Sequence, residues 1–337
     1  MSLVTGRPRL DPVWKSVRLN CLPLLRRTPE RCKEMARIRR RRQRSLPRSL
    51  ERVNFHAAGI DVGSRFHVVA VPPGSSSDGC DVKTFDSFTA DLRELGVWLH
   101  ECGVDTVAME STGVYWIPTY ELLEEAGFEV CLCDTQQIKS VPGRKTDVLD
   151  CQWIQQLHTF GLLRAAFRPD AVICQLRAYV RQRSMLIAEG SKHIQHIQKA
   201  LEQMNIKLTE VLREVTGKTG MLIIDAILAG ERDPQKLAAF RRPGCKRSEA
   251  TIAKALEGNW REEHVFALRQ AVELWRYHGT KISECDAEIE KLLGILPDQT
   301  EGESLSTAGR SRCKRRNELS FDGRTVLYQV TGVDLTA

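Results

Sequence analysis

Four acidic side chains lie where a carboxylate contributes little to stability. Asp61 interrupts the apolar, strand-like run GIDVG, and Glu110 ends the run VDTVAME. Asp147 and Asp150 are three residues apart at the start of a predicted helix, so they share one face. Carboxylates gathered in this way repel each other unless a cation lies between them. Four carboxylates can hold two Mg²⁺ (magnesium) ions about 4 Å apart, which is the arrangement used to cut and join phosphodiester bonds.

The acidic positions differ in how well a structural role explains them. Thr146 is a good N-cap, and Asp147 lies in the first helical turn, where the helix dipole favours negative charge. Capping therefore offers an alternative explanation for Asp147, and it explains Asp150 less well. It does not apply to Asp61 or Glu110.

The elements that must position these acids alternate between strands and helices over residues 55–135. Short β-rich runs at FHAAGIDVG and FHVVAVP form a predicted hairpin, and the order that follows is β-β-β-α-β-α-β. This order predicts an α/β domain with a mixed sheet. Asp61 on a central strand then lies beside a strand that ends in Glu110, as in an RNase H-like fold.

From about residue 172 the chain is predicted to be helical. Apolar residues recur close to a heptad seam in two long segments, with Ile187, Ile194 and Leu201 in the first, and Leu268 and Val272 in the second. The two predicted helices can pair with each other as an antiparallel hairpin or with another subunit. A packed stripe explains these residues better than a cofactor role.

The positive charge of the chain is concentrated at its N-terminus. The whole chain carries +7, whereas residues 1–55 contain 16 Lys and Arg against four Asp and Glu, or +12, which leaves −5 for the rest. The run ARIRRRRQRSLPR is typical of nucleic-acid contact through phosphates, and equally of a solvated, disordered tail. Residues 1–54 are accordingly predicted to be a basic, disordered extension, and Met35 offers an alternative start.

Composition restricts the compartment and the redox state of the protein. The sequence contains no uninterrupted apolar stretch long enough to span a bilayer and no convincing signal peptide, so we expect a cytoplasmic protein without a membrane partner. Its 11 cysteines are scattered, and we expect reduced, mostly buried thiols. Cys131 and Cys133 flank one residue in a predicted strand and are expected to point to opposite faces.

At these residues the sequence resembles a known family. The motifs GIDVG, AMESTGVYW and GRKTDVLDCQWIQQLHTFGLLRAAFRPD occur in the order seen in the DEDD transposases of bacterial insertion sequences, the group that uses a bridge RNA. The resemblance continues through LRAYVRQRSMLI and GERDP. It covers roughly residues 55–337 and leaves out the basic extension.

The resemblance implies a domain organisation and a set of ligands. Residues 55–170 would form a RuvC-like domain with Asp61, Glu110, Asp147 and Asp150 as catalytic Mg²⁺ ligands. Residues 171–297 would form a helical, partly coiled-coil domain that supports a homo-oligomer. Residues 298–337 would comprise a linker and the start of a C-terminal domain that is cut short. The closing segment TVLYQVTGVDLTA is predicted to be the first strand or turn of that domain. In the family that domain carries a serine nucleophile, and we assign no serine to this role here.

The resemblance also implies partners, namely DNA and a guide (bridge) RNA. Arg144 and Lys145 precede Asp147 and are candidates for phosphate or guide-RNA contacts, and the alternative is a pair of solvated loop cations. The predicted function is metal-dependent DNA strand cleavage and transfer by a truncated transposase or site-specific recombinase. Two alternatives stay open, a RuvC-like junction-resolving nuclease and an inactive nucleic-acid-binding remnant.

Overall fold

A computed structural model of the chain describes residues 50–111, 113–134, 147–300, 303, 305 and 317–335. The chain divides into two compact units. We call Met1–Phe167 the sheet unit and Arg168–Ala337 the helical unit. The boundary predicted from the sequence was at residue 170.

The sheet unit is built on five strands whose lengths follow the β-rich runs of the sequence. They are β1 (Ala57–Val62), β2 (Phe66–Ala70), β3 (Val82–Asp86), β4 (Thr106–Glu110) and β5 (Glu129–Cys133). Their order across the sheet is β3-β2-β1-β4-β5. Strand β2 is antiparallel to both of its neighbours, β1 and β3, whereas β1, β4 and β5 run parallel to one another. The sheet is therefore mixed, as predicted, and is compatible with an α/β RNase H-like domain.

Three helices cover the two faces of this sheet, and they are α1 (Thr89–Glu101), α2 (Trp116–Glu125) and α3 (Asp147–Thr159). The alternate positions Ala58 and Ile60 of β1 pack with Leu95 and Leu99 of α1 in one apolar cluster. On the other face, Ala108 of β4 packs with Ile154 of α3. Burial on both faces explains why the central strands are apolar almost throughout.

The helical unit contains seven helices within its described residues. They are α4 (Ala171–Gln203), α5 (Leu208–Val211), α6 (Lys218–Leu228), α7 (Pro234–Ala238), α8 (Glu249–Ala255), α9 (Glu262–Leu293) and α10 (Gly323–Thr331). Several begin at side-chain caps, such as Asp170 before α4 and Ser248 before α8. No helix within the described ranges is both long enough and apolar enough to cross a bilayer.

The two long helices α4 and α9 pack along each other in an antiparallel arrangement. Arg183 pairs with Asp286, and further along α4 a Cβ placed on Gly190 would lie 3.4 Å from the Cβ of His278. Ile197 and Leu201 of α4 are buried with Leu268 and other apolar side chains of this unit. The pairing therefore lies within one chain, and a coiled coil between subunits stays a prediction.

Helix α10 corrects one expectation. The segment TVLYQVTGVDLTA was predicted to be a strand or turn, whereas Gly323–Thr331 form a helix. Capping residues at both ends of α10 favour the helix. Asp322 accepts a hydrogen bond from the backbone N–H of Thr325, and Gly332 ends the helix in the left-handed conformation with φ of 69°.

Candidate active site

Asp61 and Glu110 are neighbours at the carboxyl ends of two parallel strands. In the parallel register of β1 and β4, Ile60 lies opposite Met109. Asp61 and Glu110 are the next residues along each strand, so they lie side by side. Side chains alternate along a strand, so residues paired in this way point to the same face of the sheet. The structure therefore brings two of the four predicted acids together.

The face that carries both acids is the one covered by α3. Asp61 shares its face with Gly59 and Ala57, two and four residues earlier in β1. A Cβ on Gly59 would lie 2.4 Å from the carbonyl oxygen of Cys151, and the Gln155 side-chain amide donates to the carbonyl of Ala57 over 3.1 Å. Gly59 thus allows the α3 backbone to lie directly on β1, beside Asp61.

The same contacts establish the direction of α3. Cys151 lies against Gly59, Gln155 lies against Ala57, and His158 reaches Thr106 at the start of β4 with Nε2 2.8 Å from Oγ1. The helix therefore runs opposite to β1 and β4. Its first turn is at the end of the sheet where these strands finish, which is the end that carries Asp61 and Glu110.

Of the other predicted site residues, the structure describes Asp150 fully and Asp147 only in its backbone. Asp150 precedes Cys151 in the first turn of α3, and its side chain is half-buried, as are those of Asp61 and Glu110. Asp147 begins α3, but its side chain is outside the description. Arg144 and Lys145 also lie outside the described residues. Within the part of the chain that the structure describes, no three His, Cys, Asp or Glu side chains converge on one metal position.

A buried polar network holds the far end of α3. Besides contacting His158, the hydroxyl of Thr106 donates to the carbonyl of Glu129 over 3.0 Å. Burial lowers the pKa of His158, an effect that the nearby Glu129 and Asp105 carboxylates partly oppose. Sequence reasoning missed this network, because its members lie on three separate elements and carry no recognisable motif.

The prediction for Cys131 and Cys133 was wrong. Residues two apart in a strand share a face, because the side-chain period of a strand is two. Their sulfur atoms lie 3.6 Å apart in β5. Cys133 is the register partner of Glu110, so this thiol pair lies directly beside the acidic end of the sheet.

A concave region lies wholly in the helical unit. A cavity of about 270 Å³ opens there, and its lining includes Gly190, Trp275 and His278. The rings of His193 and His278 stack with their centroids 5.1 Å apart. Stacked imidazoles do not aim their nitrogens at a common point, so this region is a weaker candidate for a metal site than the end of the sheet.

Comparison with known protein families finds a match for one segment of the chain. Residues 58–206 match a family model described as a transposase, of the DEDD type found in IS110 insertion sequences. The matched segment begins in β1 and includes all four predicted acids, and it spans less than half of the chain. No curated protein matches the chain. The matched segment is therefore similar to the transposase domain of this family.

Proposed function

We propose that this chain is an IS110-type DNA transposase or site-specific recombinase whose acidic sheet end serves metal-dependent strand cleavage and transfer. The observation that supports it best is the register of β1 and β4. That register sets Asp61 beside Glu110 at the end of the sheet where α3 begins. These elements lie inside the segment that matches the transposase model.

The residues at this end fit a magnesium ion by their chemistry. Two carboxylates directly beside each other repel, and a divalent cation between them removes that cost. Mg²⁺ prefers hard oxygen ligands and commonly uses only one or two carboxylates together with substrate phosphates. Asp61 and Glu110 supply such oxygens from rigid strands, and Asp150 with Asp147 would add further oxygens from the first turn of α3.

The cation, the two strand carboxylates and helix α3 have different parts in the proposed reaction. An Mg²⁺ ion held there would supply polarisation of the scissile phosphate, activation of the attacking oxygen and stabilisation of the leaving one. Asp61 and Glu110 position the cation, and their half-buried state leaves the site open to a DNA phosphate. The N-terminal dipole of α3 favours negative charge at the same end of the sheet, which helps to hold the phosphate there.

Further parts of the proposal rest on the family resemblance. Arg144 and Lys145 would contact the phosphates of DNA or of a guide RNA. The helical unit would support a homo-oligomer through α4 and α9. A serine from a further domain would act as the nucleophile that attaches the enzyme to DNA, and this stays a prediction.

The test is Mg²⁺-dependent DNA cleavage and strand transfer by the protein in a version that also carries the further domain with the serine. The substrate is a plasmid carrying the DNA that flanks its own gene, with the adjacent noncoding RNA co-expressed. Asp61→Asn should lower the rate at least about 100-fold, because loss of a metal ligand removes several kcal/mol of transition-state stabilisation. The matched control is Asp105→Asn, an exposed acid at the opposite end of β4, which should keep the wild-type rate.

The other outcomes separate the alternatives. Retained activity in Asp61→Asn would contradict the metal assignment. Cleavage of synthetic four-way junctions without strand transfer would instead favour a junction-resolving nuclease. Nucleic-acid binding that persists in EDTA, with no cleavage of either substrate by the wild type, would favour a binding remnant.

A further inference from the structure

Strand β5 carries two thiols within reach of each other. The sulfur atoms of Cys131 and Cys133 are 3.6 Å apart, and the thiol of Cys133 also donates to the carbonyl of Cys131 over 3.6 Å. Cys133 is fully buried, whereas Cys131 is partly exposed. One sulfur is thus accessible from solvent and the other is held directly behind it.

The surroundings keep the two sulfurs together. Cys133 packs with Ala108 and Ile154, and Cys131 packs against the same cluster. On the outer side of β5, the backbone N–H of Ala166 donates to the carbonyl of Leu132 over 2.6 Å, next to a bridge from Ala165 to Cys133. Strand β5 is therefore hydrogen-bonded on both edges around the thiols, to β4 and to the segment at Ala165. This pairing resists a backbone rotation that would move the two sulfur atoms apart.

We propose that Cys131 and Cys133 form a redox-active dithiol that a low-molecular-weight disulfide converts reversibly into an intrastrand disulfide. This property does not depend on whether the chain cleaves DNA. It is a modification site beside the acidic end of the sheet, because Cys133 is paired with Glu110 in the β4–β5 register.

The reaction proceeds by two successive exchanges. The thiolate of Cys131 attacks one sulfur of the external disulfide, breaks its S–S bond and releases one thiolate. The sulfur of Cys133 gives up its proton, attacks the sulfur of Cys131 and displaces the second external thiol. Two protein thiols are oxidised, one external disulfide is reduced, and the two released thiols take up the two protons.

The order of attack follows from the environment of each sulfur. The hydrogen bond from Cys133 lowers the pKa of Cys131, although burial opposes this effect. The same hydrogen bond and burial raise the pKa of Cys133. Cys131 is also the more exposed of the two, so it is the thiol that meets the external disulfide first.

The backbone makes this disulfide possible but strained. Residues two apart in a strand have Cα atoms about 6.6 Å apart, from a rise of about 3.3 Å per residue. Disulfides tolerate Cα separations of about 4.4 to 6.8 Å, but they also need Cβ atoms about 3.5–4.5 Å apart. Side chains two apart on an extended strand project nearly parallel, so β5 must bend locally to close the bond. Strained disulfides are readily reduced, and we therefore expect a bond that opens again with reduced glutathione.

The test is mass spectrometry of the full chain after treatment with oxidised glutathione under native conditions. The peptide that contains both cysteines should lose two hydrogens and regain them with reduced glutathione. In Cys133→Ser, Cys131 should instead retain a glutathione adduct, because the second exchange is blocked. The matched control Cys245→Ser changes a partly buried thiol in the helical unit and should leave the peptide's reaction unchanged.

Three outcomes would overturn the proposal. They are an unreacted peptide, a stable glutathione adduct on Cys131 of the wild type, and a disulfide from either residue to another cysteine. Phenylarsine oxide gives a second measurement that needs no variant, because its arsenic bridges two adjacent thiols. The proposal predicts one arsenical on this peptide, and its absence from the native wild type would contradict the dithiol.

Discussion

Asp286 in the helical unit and Asp61 in the sheet unit are both withdrawn from open solvent, but their surroundings differ. Asp286 is only 2% exposed, and its carboxylate accepts hydrogen bonds from the Arg183 guanidinium and from the Ser320 backbone N–H at 3.0 Å. Asp61 is half-buried and lies beside a second carboxylate, Glu110, in the parallel register. One carboxylate faces a fixed cation and the other faces a like charge.

The difference separates a structural role from a binding role. The guanidinium of Arg183 also donates to the carbonyls of Asn317 and Glu318, so the pair ties residues after α9 back onto α4. The charges of Arg183 and Asp286 therefore neutralise each other without a bound ion. Asp61 and Glu110 instead place two like charges side by side on a rigid sheet, and a bound cation would lower the cost of their repulsion. The substitutions below should therefore separate a loss of stability at Asp286 from a loss of ion binding at Asp61.

The largest effect on stability is expected at Asp286. Asp286→Ala should lower the free energy of unfolding of the helical unit by about 3–5 kcal/mol, because it leaves the Arg183 guanidinium buried without its carboxylate. Only 11% of the Arg183 side chain is exposed. Urea denaturation, with amide hydrogen exchange resolved over α4 and α9, measures this loss.

The matched control for that substitution is Asp225→Ala in the same unit. Asp225 pairs with Arg276, and the two side chains are 46% and 49% exposed. Loss of this exposed pair should cost only about 0–1 kcal/mol. Equal losses in the two variants would show that burial does not distinguish the pairs.

The next effect concerns the contact that places α3 beside Asp61. Gly59→Ala should destabilise the sheet unit by about 2 to 3 kcal/mol, because the added methyl overpacks the sheet. Its Cβ would lie 2.3 Å from the Gln155 backbone nitrogen and 2.4 Å from the Cys151 carbonyl oxygen. Neither backbone atom can rotate away. Thermal unfolding of the full chain, with hydrogen exchange in β1 and α3, reports the change.

Gly96→Ala in α1 is the control for Gly59. A Cβ there would meet its nearest atom, the Cβ of Ala126, at 4.0 Å. This substitution should stabilise the sheet unit by about 0.5–1 kcal/mol, because alanine favours a helix interior over glycine. A Gly59→Ala variant as stable as the wild type would mean that α3 does not lie on β1 as described.

The smallest effect is the pH dependence of the sheet unit. Burial lowers the pKa of His158 below its ordinary value of 6.5, and burial acts on His67 in the same direction. Their stabilising contribution is therefore complete above the unfolded pKa and is lost as pH falls through the folded pKa. The loss is limited to about 1.4 kcal/mol per pH unit for each histidine.

The substitution His158→Gln tests whether His158 causes this pH dependence of stability. Unfolding of the wild type and the variant is compared at about pH 7 and about pH 5. The variant should be less stable at the higher pH, because it loses the bond between His158 and Thr106, and its stability should depend less on pH. An unchanged pH dependence would assign the effect to other groups.

Much of the sheet was predictable because its signals are local. The β-rich runs around Asp61 and before Glu110 predicted the strands, and the strand order predicted that the two acids would be neighbours. The cap signals of α10 were also local, in Asp322 and Gly332. They were not used in the prediction, which took the segment for a strand or turn, and the helix was missed.

The remaining features depend on partners that are distant in sequence. Arg183 and Asp286 are 103 residues apart, and no periodicity pairs them. Gly59 lies inside a predicted strand, and a glycine there often signals a close backbone approach. The sequence did not show what approaches it, because helix α3 begins far along the chain. The thiol pair was misplaced for a different reason, because the strand period was applied wrongly to Cys131 and Cys133.

The most direct test of the account is Mg²⁺ binding to the full chain, measured by isothermal titration calorimetry in the absence of nucleic acid. Wild type and the control Asp105→Asn should bind the ion, whereas Asp61→Asn and Glu110→Gln should lose the binding heat. Thermal unfolding gives a parallel readout, because an ion that binds only the folded state raises the melting temperature. Equal Mg²⁺ binding by wild type and both site variants would contradict a metal site between Asp61 and Glu110.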